Sequence, residues 1–204
     1  MNPAERWQGT GARLGFELPP TLLAELVSAY AEPHRAYHTL QHLSECFAHL
    51  DASPEPPEDP AALELALWFH DAIYDTQRND NESRSAAWAR RALVGLDPER
   101  LDRIEQLVLV TRHAAAPTTR DQELLLDVDL SILGAPAPRF EEYEAQVRIE
   151  YGWVPDEAYR SARGRILRGF LERPALFHTP YFASRFEQTA RVNLMRSLVR
   201  LEAV

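Results

Sequence analysis

The punctuation of this sequence leaves room for helices and for little else. Asp59-Pro60, Asp97-Pro98 and Thr179-Pro180 each set a capping side chain before a proline suited to the first helical position. Gly95, Gly134 and Gly152 each follow an apolar-periodic run, where a C-terminal glycine cap belongs. Strand signals are nearly absent, with few β-branched runs and no Asn-Gly hairpin turn. The pattern predicts an all-α protein with helices near 20–31, 37–50, 60–74, 81–94, 98–112, 120–133, 139–151, 156–172 and 180–201. No internal repeat is evident. Ser53 to Pro60 (SPEPPEDP) is the most linker-like stretch. A first domain of some fifty residues would be marginal by itself, so the segment reads as a stiff surface loop. The expectation is a single compact multi-helix bundle over 1–204.

Charge and composition narrow the function. The chain carries 22 basic and 31 acidic residues, a formal net charge of −9, and every basic residue is arginine. That balance speaks against a general nucleic-acid binder, which needs a basic face. The absence of lysine excludes Schiff-base chemistry on lysine and the P-loop lysine, so an anionic substrate must be held by guanidinium groups, backbone amides or a metal. No apolar stretch approaches the roughly 18–20 residues of a membrane span, and the first residues lack a signal-peptide layout. The single cysteine, Cys46, cannot form an internal disulfide. A cytoplasmic location is expected.

The chemistry-bearing residues are histidines and carboxylates in apolar settings. Tyr37-His38-Thr39-Leu40-Gln41-His42 places His38 and His42 four apart, on one face of the helix expected over 37–50. Trp68-Phe69-His70-Asp71 ends a strongly apolar run with an adjacent His-Asp pair. Asp127 and Asp129 lie inside the nearly apolar LLLDVDLSIL. Ionisable groups in such segments are costly unless paired or bound to a cation. Their convergence on one cation would neutralise all three segments together.

This ordered set resembles the HD-domain superfamily of metal-dependent phosphohydrolases, named for the doublet matched by His70-Asp71. The upstream histidine of the family pattern matches His42 and the downstream aspartate matches Asp129. The Tyr-His-x-x-x-His wording, the doublet and Asp-Leu-Ser are also similar to the cyclic-nucleotide phosphodiesterases of that superfamily. Along nearly its whole length the chain looks most like a bacterial branch of predicted HD phosphohydrolases. The resemblance implies His42, His70, Asp71 and Asp129 as metal ligands, with Asp127 the alternative for the last. It implies His38 as the proton donor to the leaving group, and a catalytic part for Asp71, able to bridge two ions. One or two divalent ions (Zn, Mn, Fe or Mg) would activate water against a phosphate ester of a small molecule such as a nucleotide.

Auxiliary residues are assigned by position. His113 is a candidate for a second metal or a capping histidine. Asp75 and Glu82 are candidates for orienting ligands; the other reading has Asp80 or Asn79 capping the next helix, with Glu82 favouring its positive end. Arg35, Arg148 and Arg165 are candidates for phosphate contact, the last two because apolar neighbours suggest partial burial, and Tyr151 for stacking on a ring. Cys46, one turn after His42, reads as a small core residue. Gly9 to Gly15 superficially matches a dinucleotide fingerprint, but the last spacing is one too long and no strand precedes it. Two other readings stay open: an HD-type di-iron oxygenase, and a non-catalytic ligand-binding scaffold. A homodimer through the helix ending ARVNLMRSLVRL is left open as well.

Overall fold

The computed structural model describes residues 2–203, and every regular element among them is helical. The chain forms two compact units, one ending at Leu126 and one beginning at Asp127.

The first unit contains α1 (Pro3–Leu14), α2 (Pro20–Ala29), α3 (Leu40–Ala52), α4 (Pro60–Phe69), α5 (Asn81–Ala92) and α6 (Pro98–Val110). Helix α7 (Arg120–Leu130) begins in it and crosses the boundary. Helix α4 is the core. Asp59 caps it by accepting from the Ala62 N–H, Pro60 fills its first turn, and every residue from Ala61 to Phe69 is buried. An almost wholly apolar helix is stable only when covered on all sides, and α1, α3, α5 and α6 all pack against it. Its one acid, Glu64, is buried among Thr10, Arg6 and Arg13, which supply donors from α1. The 53–59 segment lies within this unit, where the Asp121 carboxylate accepts from the Glu58 and Asp59 amides.

The second unit contains a 3-10 turn at Ser131–Gly134, α8 (Ala137–Glu150), α9 (Asp156–Leu171) and α10 (Pro180–Glu202). Helix α10 packs on the 3-10 turn and on α9. Gly134 is needed for that approach: a Cβ there would lie 2.6 Å from the Phe186 Cβ. Close packing, rather than the helix-capping φ expected of it, accounts for this glycine.

Beyond shifts of one or two residues at helix ends, four places differ from the sequence reading, for local reasons. Helix α1 was not anticipated; Asn2 caps it, Pro3 starts it and Gly15 ends it at φ 60°, so Gly9 and Gly11 are helical residues. Helix α3 starts at Leu40, not 37, because the Thr39 side chain accepts from the Gln41 amide and caps the helix there. His38 therefore precedes the helix and does not share a helical face with His42. Helix α4 stops at Phe69, which leaves the His-Asp doublet just beyond it. The segment expected over 120–133 changes to 3-10 geometry after Leu130.

Candidate metal centre

The end of α4 is capped by its own histidine. The His70 Nδ1 lies 2.8 Å from the Leu67 carbonyl oxygen, one of the carbonyls left without a helical partner at a C-terminus. A carbonyl can only accept, so Nδ1 carries a proton, and in the neutral ring Nε2 presents a lone pair. That lone pair points at two further acceptors: the His42 Nε2 at 3.2 Å and the Asp71 Oδ2 at 3.0 Å. The third side of the triangle, His42 Nε2 to Asp71 Oδ2, is 3.6 Å.

His42 and His70 are buried, and Asp71 is 18% exposed at its side chain. Three potential electron-pair donors held this close in a protein interior repel one another unless a proton or a cation lies between them. Ligands at about 2.0–2.1 Å from a metal sit roughly 3.0–3.4 Å apart in octahedral or tetrahedral geometry. Two sides of the observed triangle fall in that interval, and the third, His42 Nε2 to Asp71 Oδ2 at 3.6 Å, is slightly longer. Two imidazoles and one carboxylate are also an ordinary donor set for Zn, Fe or Mn, with coordination positions left for water. On both counts His42, His70 and Asp71 fit a divalent cation.

Neighbouring side chains orient the triangle. The Tyr37 hydroxyl is 2.9 Å from His42 Nδ1, and with its oxygen accepting, the His42 Nε2 lone pair faces the centre. The Cys46 Sγ, 3.7 Å from either ring nitrogen of His42, is buried in the same wall. Burial acts to raise the Asp71 carboxyl, but positive charge on the rings of His70, His38 and His42 outweighs it and holds the group well below the usual carboxylate range, so without a cation it is a proton that lies among these atoms. His38 is half-buried, its ring 6.0 Å from that of His42 and stacked on Tyr74 at 3.9 Å between centroids.

Arg35 takes a different part from the one expected of it. It is buried, and its guanidinium donates to the backbone oxygens of His38, Asp71 and Ala72 and to the Glu32 carboxylate. With its donors committed to the protein it positions the backbone on both sides of the cluster and offers none to a phosphate. Tyr37 and Tyr74 were missed by the sequence reading. Their adjacency to His38 and to the doublet was visible, but their ring contacts depend on the turn before α3.

Asp75 holds its own loop, accepting from the Gln77 amide and bonding Asn81 through its backbone. Glu82 sits in the first turn of α5 and pairs with Arg112 at 3.6 Å. His113 follows α6 in left-handed backbone, φ 54°. Asp127 and Asp129 belong to the second unit. The Asp127 carboxylate, fully buried, accepts from the His178 and Thr179 amides and the Thr179 hydroxyl at 2.7–2.8 Å, just before α10. Burial pushes its pKa upward, and those bonds only partly oppose the shift. Asp129 is half-buried. Arg148 donates to the Tyr151 and Val154 carbonyls and to Asp156, with its guanidinium 4.6 Å over the Tyr159 ring. Tyr151 is half-buried, 6.4 Å from the same ring. Arg165 is exposed and bonds Ser161. The buried arginine of that helix is Arg163, which bonds Tyr143 and Glu144. Tyr159, Arg163 and Leu167 repeat every four residues on the inner face of α9, which turns Arg165 and Ile166 outward.

No helix of the described residues is long and apolar enough to cross a membrane. Neither a scan against family models nor searches of curated proteins and solved structures return a match.

Proposed function

We propose that the chain is a metal-dependent phosphohydrolase, with His42, His70 and Asp71 holding a divalent cation. The observation that carries this reading is the triangle of ligand atoms at 3.0, 3.2 and 3.6 Å, one vertex of which has its tautomer set by the Leu67 carbonyl. Asp129 enters as a further ligand on the strength of the sequence pattern. A bound divalent cation would supply Lewis acidity and a water acidified toward neutral pH.

The chain's own residues provide the rest. Leu67 and Tyr37 hold the two imidazoles with their Nε2 atoms turned inward. Arg35 fixes the carbonyls of His38 and Asp71, so the proton donor and the carboxylate keep their separation. The partial exposure of Asp71 and His38, beside the buried His42 and His70, puts the open side of the centre at those two residues. His38, stacked on Tyr74 but not buried, is the group able to pass a proton to a departing alkoxide. The substrate class, a phosphate ester of a small molecule such as a nucleotide, follows the resemblance noted above. The same two-histidine, one-carboxylate set also suits non-haem iron and oxygen, which sustains the oxygenase as a second reading.

Metal analysis of protein purified without chelators, with a phosphatase screen of wild type and Asp71→Ala, tests the proposal. Metal and turnover present in wild type and lost together in Asp71→Ala are expected. Unchanged metal and turnover in the variant would overturn it, and oxygen consumption without phosphate release would favour the second reading. His38→Ala is expected to keep its metal while turnover falls about 10²–10⁴-fold.

A further inference from the structure

Helices α8, α9 and α10 enclose a groove of about 360 Å³, built entirely from residues of the second unit and using none of the histidine-cluster residues. Four arginines line it: Arg148, Arg160, Arg196 and Arg200. Its acids are already engaged. Glu144 takes donors from the buried Arg163 and from Ser197, Glu141 pairs with Arg200, and Asp156 with Arg148. Among the described residues neither Arg160 nor Arg196 has a carboxylate partner within ion-pair distance, so two positive charges face the groove uncompensated.

The Arg148–Asp156 and Arg200–Glu141 pairs are open to exchange. The Asp156 side chain is 76% exposed, and ion pairs of this kind contribute little in water. A phosphate could replace either carboxylate at small cost. The groove is also lined by Leu201 and by the buried rings of Phe140 and Tyr159, an apolar floor that the Arg148 guanidinium covers in part. Positive charge at the rim and aromatic surface below suit a ligand with an anionic end and a flat apolar body, and the volume lies in the ordinary range for small-molecule sites. Guanidinium forks match phosphate oxygens in geometry as well as charge.

We propose that this groove binds a phosphate-bearing small molecule with a planar ring, of mononucleotide size, and that Arg160 and Arg196 are the groups that receive the phosphate. The site goes beyond the metal reading and stands without it.

Isothermal titration of the full chain at low ionic strength tests it, using AMP and inorganic pyrophosphate as probes. The protein is first stripped of metal and dialysed free of chelator. AMP is expected to bind, and the Arg160→Ala/Arg196→Ala double variant to bind it at least tenfold more weakly with an unchanged circular dichroism spectrum. Arg165→Ala, on the exposed side of α9, should stay within twofold of wild type. Should the double variant lose its fold, Arg160→Gln and Arg196→Gln singly take its place, each expected to weaken binding severalfold. No AMP binding, or binding indifferent to these variants, overturns the site. Pyrophosphate binding as tightly as AMP overturns the part of the proposal that assigns the ring to the apolar floor.

Discussion

Asp71 in the first unit and Asp127 in the second are both carboxylates set into apolar surroundings, and their neighbours make them opposites. Asp127 faces only donors, two amides and a hydroxyl, so its charge is satisfied and the segment leading into α10 is held. Asp71 faces two imidazole nitrogens, and in the neutral His70 ring the nitrogen turned toward it presents a lone pair. A buried carboxylate among donors is part of the framework; one among acceptors calls for a cation or a proton. The units differ in charge in the same direction. Residues 1–126 hold eleven arginines against twenty Asp and Glu, net −9, and six of the seven histidines. Residues 127–204 hold eleven of each sign, net zero. The acidic excess and the imidazoles lie with the candidate metal centre, while the arginine groove lies in the neutral unit.

The largest effect that would break this contrast is on turnover. Asp71→Ala is expected to abolish metal binding and lower phosphatase activity by three or more orders of magnitude, while thermal stability of the metal-free protein changes little. Asp127→Ala should do the reverse. It strands three donors and is expected to cost about 2–4 kcal/mol in denaturant unfolding, with metal content per folded chain unchanged. Equal destabilisation by the two substitutions would erase the distinction.

Arg35→Met sharpens the first unit further. Removing the donors to three carbonyls around the cluster is expected to cost about 2–3 kcal/mol and to lower kcat more than it raises KM. A rise in KM alone would return Arg35 to substrate contact.

The smallest effect concerns pH. Burial raises the Tyr159 phenol to about 12, above its ordinary value near 10. Folding thus favours the protonated phenol. Its contribution is complete below about pH 10 and is lost as pH rises from there through 12. Ultraviolet difference titration of wild type against Tyr159→Phe should show one phenol ionising near 12, and a transition near 10 would contradict its burial.

Local signals made much of the fold legible. Asp59-Pro60, Asp97-Pro98 and Thr179-Pro180 mark the starts of α4, α6 and α10. The His-Asp doublet marked the centre, and His42 was named with it. Errors arose where a local signal was outweighed. Gly9 and Gly11 masked α1 although Asn2-Pro3 offered a start, and the i, i+4 spacing of His38 and His42 drew a helix across Thr39, which caps it instead. Long-range partners left no local trace. Nothing near Asp127 announces that its donors lie 51 and 52 residues onward, and nothing beside Arg35 shows that Asp71 and Ala72 take its guanidinium. The arginine groove was legible only in part: Arg148 was named, but its companions come from two later helices.

The central claim is that a cation belongs among His42, His70 and Asp71, and direct metal quantification by mass spectrometry tests it most simply. Protein purified without chelators, or stripped and re-equilibrated with Zn, Mn or Fe, should carry at least one equivalent, and His70→Ala should carry none while retaining its helical circular dichroism. A wild-type chain that takes up no metal under any of these conditions, or a His70→Ala chain that binds as much as wild type, would contradict the account.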